Sequence, residues 1–380
     1  MQKTKILIVA SFSPSLIHFR GDFIKSLIAA RFQVYTAAPD YPILTKEQLN
    51  NMGAIPLSFK LERTGINPLN DINSIMELKS LMKQNEIDVV FPYTVKPVIY
   101  SSIAANLLNI PVISLITGLG FTFTGLSRKA IILQRINEFL YKNSIRKNKL
   151  TIFQNKDDYK LFLDRKILTP ENKVDFVNGS GVNLDKYRFR ENDKSTTDIK
   201  FLFVARLIKE KGVDLFIEAA KVLKVKFPDS QFHIIGEPDQ SPSAINITEL
   251  NNLHADGIII YHGKQNNVEE HLYNSDVFVL PTYYREGVPR SILEALSVGL
   301  PIITTDSPGC RETVKFDYNG ILIKPQNQEA LTNAMLYVLE HPEKVKIYGI
   351  HSRAYAKSKF DVDLVNNKLI TLINTVISSK

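Results

Sequence analysis

The 380-residue chain has a single cysteine and no long uninterrupted hydrophobic run. With Cys310 as the only thiol, no disulfide bond can form within one chain. The apolar run at residues 6–10 is too short for the core of a signal peptide, and no later run approaches the roughly 20 residues of a membrane span. We therefore expect a cytoplasmic protein that is soluble or peripheral to a membrane.

The sequence also lacks two motifs that would indicate cofactors. The loop after the first strand-like run, residues 11–20, has no G-x-G-x-x-G fingerprint, which disfavours a nicotinamide-dependent dehydrogenase. No D-x-D pattern stands in a metal-binding context, so we expect neither a catalytic metal ion nor a bound cofactor. Short-period repeats and low-complexity segments are absent as well.

The pattern that is present is a regular alternation of short apolar runs and helix-length segments, which is typical of parallel α/β domains. A chain of 380 residues, 44% of them hydrophobic, is long enough for two domains with separate cores. Predicted strands cover residues 5–10, 33–37, 89–92, 112–115, 151–153, 174–177, 199–204, 231–235, 258–261, 277–280, 302–305 and 321–323.

Predicted helices include residues 20–30, 71–84 and 362–377. The polar, charge-dense stretch 185–198 is the best candidate for a linker. We therefore expect Rossmann-like domains at residues 1–190 and 191–360, followed by a C-terminal helix within 361–380.

The most informative segment is residues 284–296, in which Glu286 and Glu294 stand eight residues apart with Gly287 and Pro289 between them. Proline is favoured at the first helical position, so we predict that a helix begins at Pro289, with Glu286 in the preceding loop. The unpaired N–H groups of such a helix start favour anions, and Arg290 adds positive charge. The segment predicts a phosphate site flanked by two carboxylates that can bind hydroxyl groups.

This E-x7-E pattern, followed by Gly299-Leu300-Pro301 and an apolar strand, resembles the donor site of retaining family 4 glycosyltransferases. The resemblance covers nearly the whole chain. It implies an α/β fold of the GT-B type, with two Rossmann-like domains facing across a cleft and a C-terminal helix that returns to the first domain. It also implies a retaining, UDP-sugar-dependent hexosyltransferase.

The resemblance assigns roles to individual donor-site residues. Arg206 and Lys211 follow a predicted strand and would bind the nucleotide diphosphate, which suits the planar guanidinium and the mobile ammonium group. Glu294 would bind the ribose hydroxyls and Glu286 the donor sugar. The implied donor-binding set is Arg206, Lys211, Gly236, Glu286, Gly287, Val288, Pro289, Arg290 and Glu294. Of these, Arg206, Lys211 and Glu286 are the expected catalytic residues.

Loops of the first half resemble a bacterial subgroup that extends polyprenyl-diphosphate-linked saccharides in capsule, O-antigen or N-glycan assembly. The resemblance implies transfer of an N-acetylated hexosamine-type sugar, with the enzyme peripheral on the inner face of the plasma membrane. The loops at 93–97 and 117–125 carry that likeness, and the loop at 11–20 lies at the same expected sheet edge. The expected acceptor-binding residues are His18, Arg20, Thr94, Lys96, Gly118 and Gly120. Many family members have a histidine near the position of Gly118; this chain has none, so no catalytic histidine is assigned.

Positive charge is concentrated in the first half of the chain. Residues 1–190 hold 26 Lys and Arg against 15 Asp and Glu, whereas residues 191–380 hold 21 against 24. Within residues 127–149, seven cations are interleaved with apolar side chains and accompanied by a single acid, Glu138. This basic amphipathic pattern fits either binding to an anionic membrane surface or a core-packing helix with a solvated face. No nucleic-acid-binding module is recognisable.

Two other functions stay open at this point. A non-hydrolysing UDP-sugar epimerase would share the fold and the donor site but would need no saccharide acceptor. A non-catalytic nucleotide-sugar or polyanion-binding protein would need the cations alone, so the two carboxylates disfavour it. The sugars, the acceptor length and the oligomeric state do not follow from the sequence.

Overall fold

The computed structural model describes residues 3–62, 67–120, 123, 128–190, 198–239 and 243–379. The chain forms two compact units: unit 1 comprises Met1–Ser180 with Val362–Lys380, and unit 2 comprises Gly181–Asp361. The division therefore falls before residue 181 rather than at the expected boundary of 190/191. Of the predicted linker 185–198, residues 185–190 belong to unit 2, and residues 191–197 lie outside the described part.

Unit 1 is built on parallel strands. Its described strands are β1 Lys5–Val9, β2 Gln33–Ala38, β3 Ile55–Ser58, β4 Val89–Pro92, β5 Ile113–Ile116, β6 Leu150–Phe153 and β7 Val174–Phe176. The first four strands pair in the order β3-β2-β1-β4 and the last three in the order β5-β6-β7. Isolated parallel bridges, Val90–Val112 and Tyr93–Leu115, place β5 beside β4 and join the two sets.

Helices cover both faces of this sheet, which explains why its central strands are apolar on both sides. The described helices between the strands are α1 Pro14–His18, α2 Gly21–Ala29, α3 Ile43–Met52, α4 Pro68–Gln84, α5 Val95–Asn106, α6 Arg128–Ile145 and α7 Lys156–Asp164. One apolar cluster packs against α1, α2 and α3, and a second packs against α4 to α7.

Unit 2 repeats the design with parallel strands in the order β10-β9-β8-β11-β12-β13. Its described strands are β8 Lys200–Val204, β9 Gln231–Ile235, β10 Ile260–Tyr261, β11 Val277–Leu280, β12 Ile302–Thr305 and β13 Gly320–Ile323. Its described helices are α8 Val213–Lys226, α9 Ile247–Ala255, α10 Val268–Tyr273, α11 Arg290–Val298, α12 Gln328–Glu340 and α13 Glu343–Tyr355.

The last helix, α14 Val362–Ser378, belongs to unit 1 although it follows unit 2 in the chain. It packs against α2, where the Asn366 side-chain amide donates a hydrogen bond of 3.1 Å to the Ser26 hydroxyl. A π-helical turn, Ala356–Phe360, precedes it. No helix among the described residues is long and apolar enough to span a bilayer.

Two local predictions differ from the structure. The edge strand β3 is missing from the prediction because its sequence, Ile-Pro-Leu-Ser, is short, half-exposed and contains a proline, which is tolerated only at a sheet edge. The predicted helix start at Pro289 was wrong by one residue. Pro289 has φ −63° and ψ 120°, so it is an extended N-cap and α11 begins at Arg290.

Candidate active site

The expected donor-site residues of unit 2 lie at the point where its strand order reverses. Strands β8 and β11 are neighbours in the sheet, although two strands separate them in the chain. Ligands of open α/β sheets bind at the carboxyl ends of strands at such a switch point. Arg206 follows the end of β8, and Glu286 lies in the loop after β11.

The fold brings together two motifs that lie far apart in the sequence. The Lys211 ammonium group contacts the Glu286 carboxylate at Oε1. The two side chains are 13% and 14% exposed, so the ion pair is screened from solvent but open enough to exchange its partner. The Lys211 Nζ also lies 5.1 Å from the centre of the Tyr284 ring, which contributes a cation–π contact.

Arg206 has a different carboxylate partner. Its Nη1 donates to Asp239 Oδ2 at 2.7 Å, and its guanidinium carbon lies 5.8 Å from the centre of the Tyr284 ring. Burial lowers the pKa of Arg206, but Tyr284, Asp239 and Glu286 outweigh that effect and give a net increase. Arg206 and Lys211, the expected diphosphate ligands, therefore each pair with a carboxylate and lie beside the ring of Tyr284.

Two glycines allow the backbone segments of this site to approach closely. Gly236 follows β9 with φ +142°, and a Cβ atom there would overlap the carbonyl oxygen of Ala205. Gly212 has φ +77°, and a Cβ atom there would overlap the carbonyl oxygen of Pro281. A side chain at Gly236 would push the turn after β9 away from the segment that carries Arg206, and one at Gly212 would push the Lys211 segment away from the segment that leads to Glu286.

Glu294 lies in the second turn of α11, where two side chains hold one of its oxygens. The Arg290 Nε and the Tyr187 hydroxyl each donate to Glu294 Oε1 at 2.9 Å. Arg290 was expected to add charge at the helix start; its Nε instead pairs with the carboxylate one turn later. Tyr187 contacts an expected site residue, although the sequence did not predict it.

The loop between Glu286 and α11 packs against the backbone at Gly309. A Cβ atom at Gly309 would overlap the carbonyl oxygen of Gly287, so the two backbones are in direct contact. Val288 is buried beside them. Cys310, fully buried, has its pKa raised to about 11 by burial and by the charge of Glu286, so it packs as a neutral thiol.

Unit 1 has its own switch point, between β1 and β4. The Thr94 hydroxyl, just after β4, donates to the Ser11 hydroxyl, just after β1, at 3.2 Å. Arg20 is only 2% exposed and lies 5.1 Å from the ring centre of Tyr93. Thr94 has φ +69° and ψ 161°, a strained conformation for a β-branched residue.

The other residues expected to contact an acceptor are less closely grouped. Lys96 lies in the first turn of α5, and its ammonium pairs with Asp71 at 3.1 Å, each side chain being 14% exposed. His18 was expected to open a helix, but it is the last residue of α1, whereas Arg20 is the N-cap of α2. Gly118 and Gly120 both have positive φ angles after β5. Within the predicted loop 117–125, residues 121, 122, 124 and 125 lie outside the described part.

Tyr187 and Asp239 were not predicted because neither belongs to a recognisable motif. Tyr187 precedes Glu294 by 107 residues, and its proximity depends on how the segment before β8 packs. Asp239 belongs to the sequence Glu237-Pro238-Asp239 after Gly236. Such a sequence predicts a turn but gives no sign that Asp239 has a functional role. Within the described ranges, no group of three His, Cys, Asp or Glu side chains has a metal-binding arrangement.

Comparison with protein families gives two matches, which cover successive parts of the chain. The model for glycosyl transferases group 1 matches residues 185–354, and the model for glycosyl transferase 4-like domains matches residues 5–155. Together they include both switch points. The chain belongs to the family 4 glycosyltransferases, and its two parallel α/β units are those of the GT-B fold.

Curated relatives match over most of their length. An N,N′-diacetylbacillosaminyl-diphospho-undecaprenol α-1,3-N-acetylgalactosaminyltransferase of Campylobacter jejuni is 28% identical over 96% of this chain and 97% of its own. A UDP-Gal:α-D-GlcNAc-diphosphoundecaprenol α-1,3-galactosyltransferase of Escherichia coli is 28% identical over 72% of each chain. Among solved structures, HepE of Anabaena, in complex with UDP, superposes with a TM-score of 0.78 at 17% identity over 98% of this chain and 100% of its own, which establishes likeness of fold.

Proposed function

We propose that the protein is a retaining glycosyltransferase that moves an N-acetylated hexosamine-type sugar from a UDP-sugar to a polyprenyl-diphosphate-linked saccharide. The observation that carries the donor half is the contact between Lys211 and Glu286 at the switch point of unit 2. Polyanion binding alone would require cations, whereas this site pairs each expected cation with a carboxylate that can accept hydrogen bonds from hydroxyl groups. The names of the Campylobacter and Escherichia relatives support the acceptor class.

In this proposal the donor diphosphate exchanges partners with the ion pairs of the site. Lys211 and Arg206 turn from Glu286 and Asp239 to the phosphate oxygens, where charge-assisted hydrogen bonds are strong. The released Glu286 then accepts hydrogen bonds from the donor sugar, while Glu294 binds the ribose hydroxyls. The site is close to neutral before the donor binds, which limits the cost of burying unpaired cations.

The transfer step breaks the bond between the sugar C1 and the diphosphate oxygen and forms a bond from C1 to the acceptor oxygen on the same face. The acceptor hydroxyl proton passes to the departing diphosphate. Lys211 and Arg206 stabilise the negative charge that develops on the diphosphate, a contribution that reaches about 3–4 kcal/mol for one well-placed donor. This role makes both residues catalytic in the proposal.

The acceptor side of the proposal involves unit 1. Arg20, Thr94, Gly118 and Gly120 follow β1, β4 and β5, whose carboxyl ends adjoin in the sheet. His18 and Lys96 complete the expected acceptor set. Arg20 is largely buried and Lys96 is paired with Asp71, so an acceptor diphosphate would draw on backbone N–H groups and hydroxyls as well as on these cations.

The experiment incubates the protein with a panel of UDP-sugars and a short polyprenyl-diphosphate-linked saccharide, and measures UDP release together with product mass. UDP release with a matching gain in acceptor mass supports the transferase and identifies the donor. Isomerised UDP-sugar without acceptor would favour the epimerase. UDP binding without turnover on any acceptor would favour a binding protein, and failure to bind UDP would overturn the donor site. Lys211→Ala and Glu294→Ala should abolish transfer in a folded protein.

We also propose that unit 1 docks on an anionic membrane surface through the exposed side of α6. That side carries Ile132, Ile136 and Phe139, which are 61%, 36% and 66% exposed, interleaved with the exposed cations Arg135 and Lys142. The opposite side of α6 already packs into the core through Tyr141 and Ile145. The exposed apolar side chains are therefore not required for folding.

A second exposed apolar stripe supports the same proposal. Helix α4 exposes Leu69, Ile72 and Met76, and α5 packs between α4 and α6. Apolar side chains would enter the headgroup boundary, while each cation near the surface contributes about 1 kcal/mol.

Flotation with vesicles of phosphatidylcholine, with and without phosphatidylglycerol, tests this docking. Ile132→Ser/Phe139→Ser should lose binding to the anionic vesicles. The matched control Val222→Ser/Val225→Ser changes two exposed apolar residues of unit 2 and should bind as the unmodified protein does. Equal binding by all three proteins would exclude this surface.

A further inference from the structure

The segment that begins unit 2 is bonded to the second half of α11, the helix that carries Glu294. The Ser297 hydroxyl donates to the Tyr187 carbonyl at 2.6 Å, and the Arg190 N–H donates to the Val298 carbonyl at 2.8 Å. A Cβ atom at Gly299 would overlap the Phe189 ring, so the segment also covers the end of the helix. We name residues 181–190 the α11 strap.

Within this strap, the Tyr187 side chain reaches the carboxylate of the E-x7-E motif. Its hydroxyl donates to Glu294 Oε1 at 2.9 Å, and the side chain is 5% exposed. The Arg290 Nε donates to the same oxygen at 2.9 Å. No described residue donates a hydrogen bond to Glu294 Oε2. Two donors thus converge on Oε1 and fix the orientation of the carboxylate.

We infer that Tyr187 is a positioning residue, which holds Glu294 so that its second oxygen accepts hydrogen bonds from the ribose hydroxyls of the donor. This inference rests on the proposed function, in which Glu294 contacts the ribose. A carboxylate on a flexible three-carbon side chain loses rotamer freedom when it binds a ligand. The Tyr187 hydroxyl removes that freedom before the donor arrives.

The hydroxyl of Tyr187 is not needed to hold the strap in place. The Tyr187 carbonyl accepts hydrogen bonds from Ser297 and from the Arg353 Nη1 at 2.9 Å, and the Tyr187 N–H donates to Asn183 at 3.0 Å. Tyr187→Phe keeps the ring and all three backbone contacts. The variant should therefore fold, and its effect should be confined to the orientation of Glu294.

The test measures dissociation constants for UDP and for 2′,3′-dideoxyuridine diphosphate, which lacks both ribose hydroxyls. Discrimination is the ratio of the two constants. Tyr187→Phe should weaken UDP binding by about 10-fold, near the lower end of the effect of losing a hydrogen bond to a charged group, and leave the dideoxy analogue almost unchanged. The matched control is Tyr348→Phe, which removes another buried hydroxyl that donates to a carboxylate, Asp317, in the same unit.

The outcomes separate the inference from the function on which it rests. If the unmodified protein binds both nucleotides equally well, the ribose role of Glu294 fails. If Glu294→Gln loses discrimination while Tyr187→Phe keeps all of it, the positioning role of Tyr187 fails alone. Equal weakening of both nucleotides by Tyr187→Phe would indicate a purely structural effect and also overturn the inference. The positioning role of Tyr187 is supported if Tyr187→Phe loses the discrimination between the two nucleotides and Tyr348→Phe keeps it.

Discussion

The two units place different chemistry at the same position of the same kind of sheet. At the switch point of unit 2, the side chains are charged, partly exposed and paired in opposite signs: Lys211 with Glu286 and Arg206 with Asp239. At the switch point of unit 1, two hydroxyls meet at Thr94 and Ser11, and the nearby cation, Arg20, is buried against an aromatic ring.

In the proposed function, this difference lets one architecture serve two kinds of recognition. Partly exposed ion pairs can exchange a carboxylate for a phosphate with little rearrangement, so unit 2 would suit a compact, highly charged nucleotide. Hydroxyls, positive-φ backbone and a buried arginine offer a more rigid and less charged surface. Four predictions test this contrast, from the largest expected effect to the smallest.

Removal of the Lys211 ammonium group from unit 2 should lower turnover far more than removal of the Lys96 ammonium group from unit 1. Lys211→Met should lower kcat by about 10³-fold because it deletes a group that stabilises the departing diphosphate. Lys96→Gln should change kcat less than about 10-fold because, in the proposed function, its ammonium belongs to the acceptor side and does not contact the departing diphosphate. Steady-state UDP release, with circular dichroism as a check on folding, measures both. Comparable losses would erase the contrast between the two switch points.

A side chain at Gly212 should destabilise unit 2 because it would strike the Pro281 carbonyl and occupy an unfavourable φ. Gly212→Ala should lower the free energy of unfolding by about 3 kcal/mol, from strain and overlap together. Gly257→Ala is the control, with φ +72° but no atom within 4 Å of the added methyl group, and should cost about 1 kcal/mol. Urea unfolding of both variants measures the difference, and equal costs would show that the close approach at Gly212 is unimportant.

Relief of the backbone strain at Thr94 should stabilise unit 1 and impair its function. Thr94→Gly should raise the free energy of unfolding by about 1 kcal/mol, since relief of strain exceeds the loss of the Ser11 hydrogen bond. Acceptor KM should rise because the hydroxyl is lost. Thr94→Ser keeps the hydroxyl and should leave KM unchanged. An unaltered acceptor KM in Thr94→Gly would show that neither the Thr94 hydroxyl nor the strained backbone is needed for acceptor binding.

Mild acid should destabilise unit 2 more than unit 1. Burial and nearby positive groups lower the pKa of His233 to about 4, whereas the unfolded chain titrates near 6.5. The groups facing its ring include Gln231, Lys200, His262, His271 and Asp276. Between about pH 6.5 and 4 the unfolded chain binds a proton that the folded state does not, so the free energy of unfolding falls with pH, by about 1 kcal/mol after solvent screening.

His233→Gln should flatten this pH dependence. The test is urea unfolding at several values between pH 7.5 and 4.5, with hydrogen exchange used to follow the unfolding midpoint of each unit separately. His18, the only histidine of unit 1, lies at an exposed helix end. The His18→Gln variant changes the other unit and should leave the pH dependence of unit 2 as it is in the unmodified protein. A variant of His233 with an unchanged slope would contradict the protonation argument.

Most strands and the donor motif were predictable because their signals are local. Apolar runs of four to six residues bounded by polar turns indicated the central strands, and Glu286 and Glu294 stand in one short motif. The edge strand β3 gave no such signal, since its residues are half-exposed and include Pro56. The unit boundary was predicted too late in the chain because the α11 strap is polar in sequence yet bonded to a buried helix.

The sequence by itself determined the alternation of strands and helices, which depends on local periodicity. The resemblance of its short motifs to a family grouped Arg206, Lys211, Glu286 and Glu294 as one expected set. The tertiary structure alone decided which charges meet: Lys211 with Glu286, Arg206 with Asp239, Lys96 with Asp71, and Tyr187 with Glu294. Such pairs join residues 25 to 107 positions apart. Their proximity follows from strand order and helix packing, which no local pattern of residues encodes.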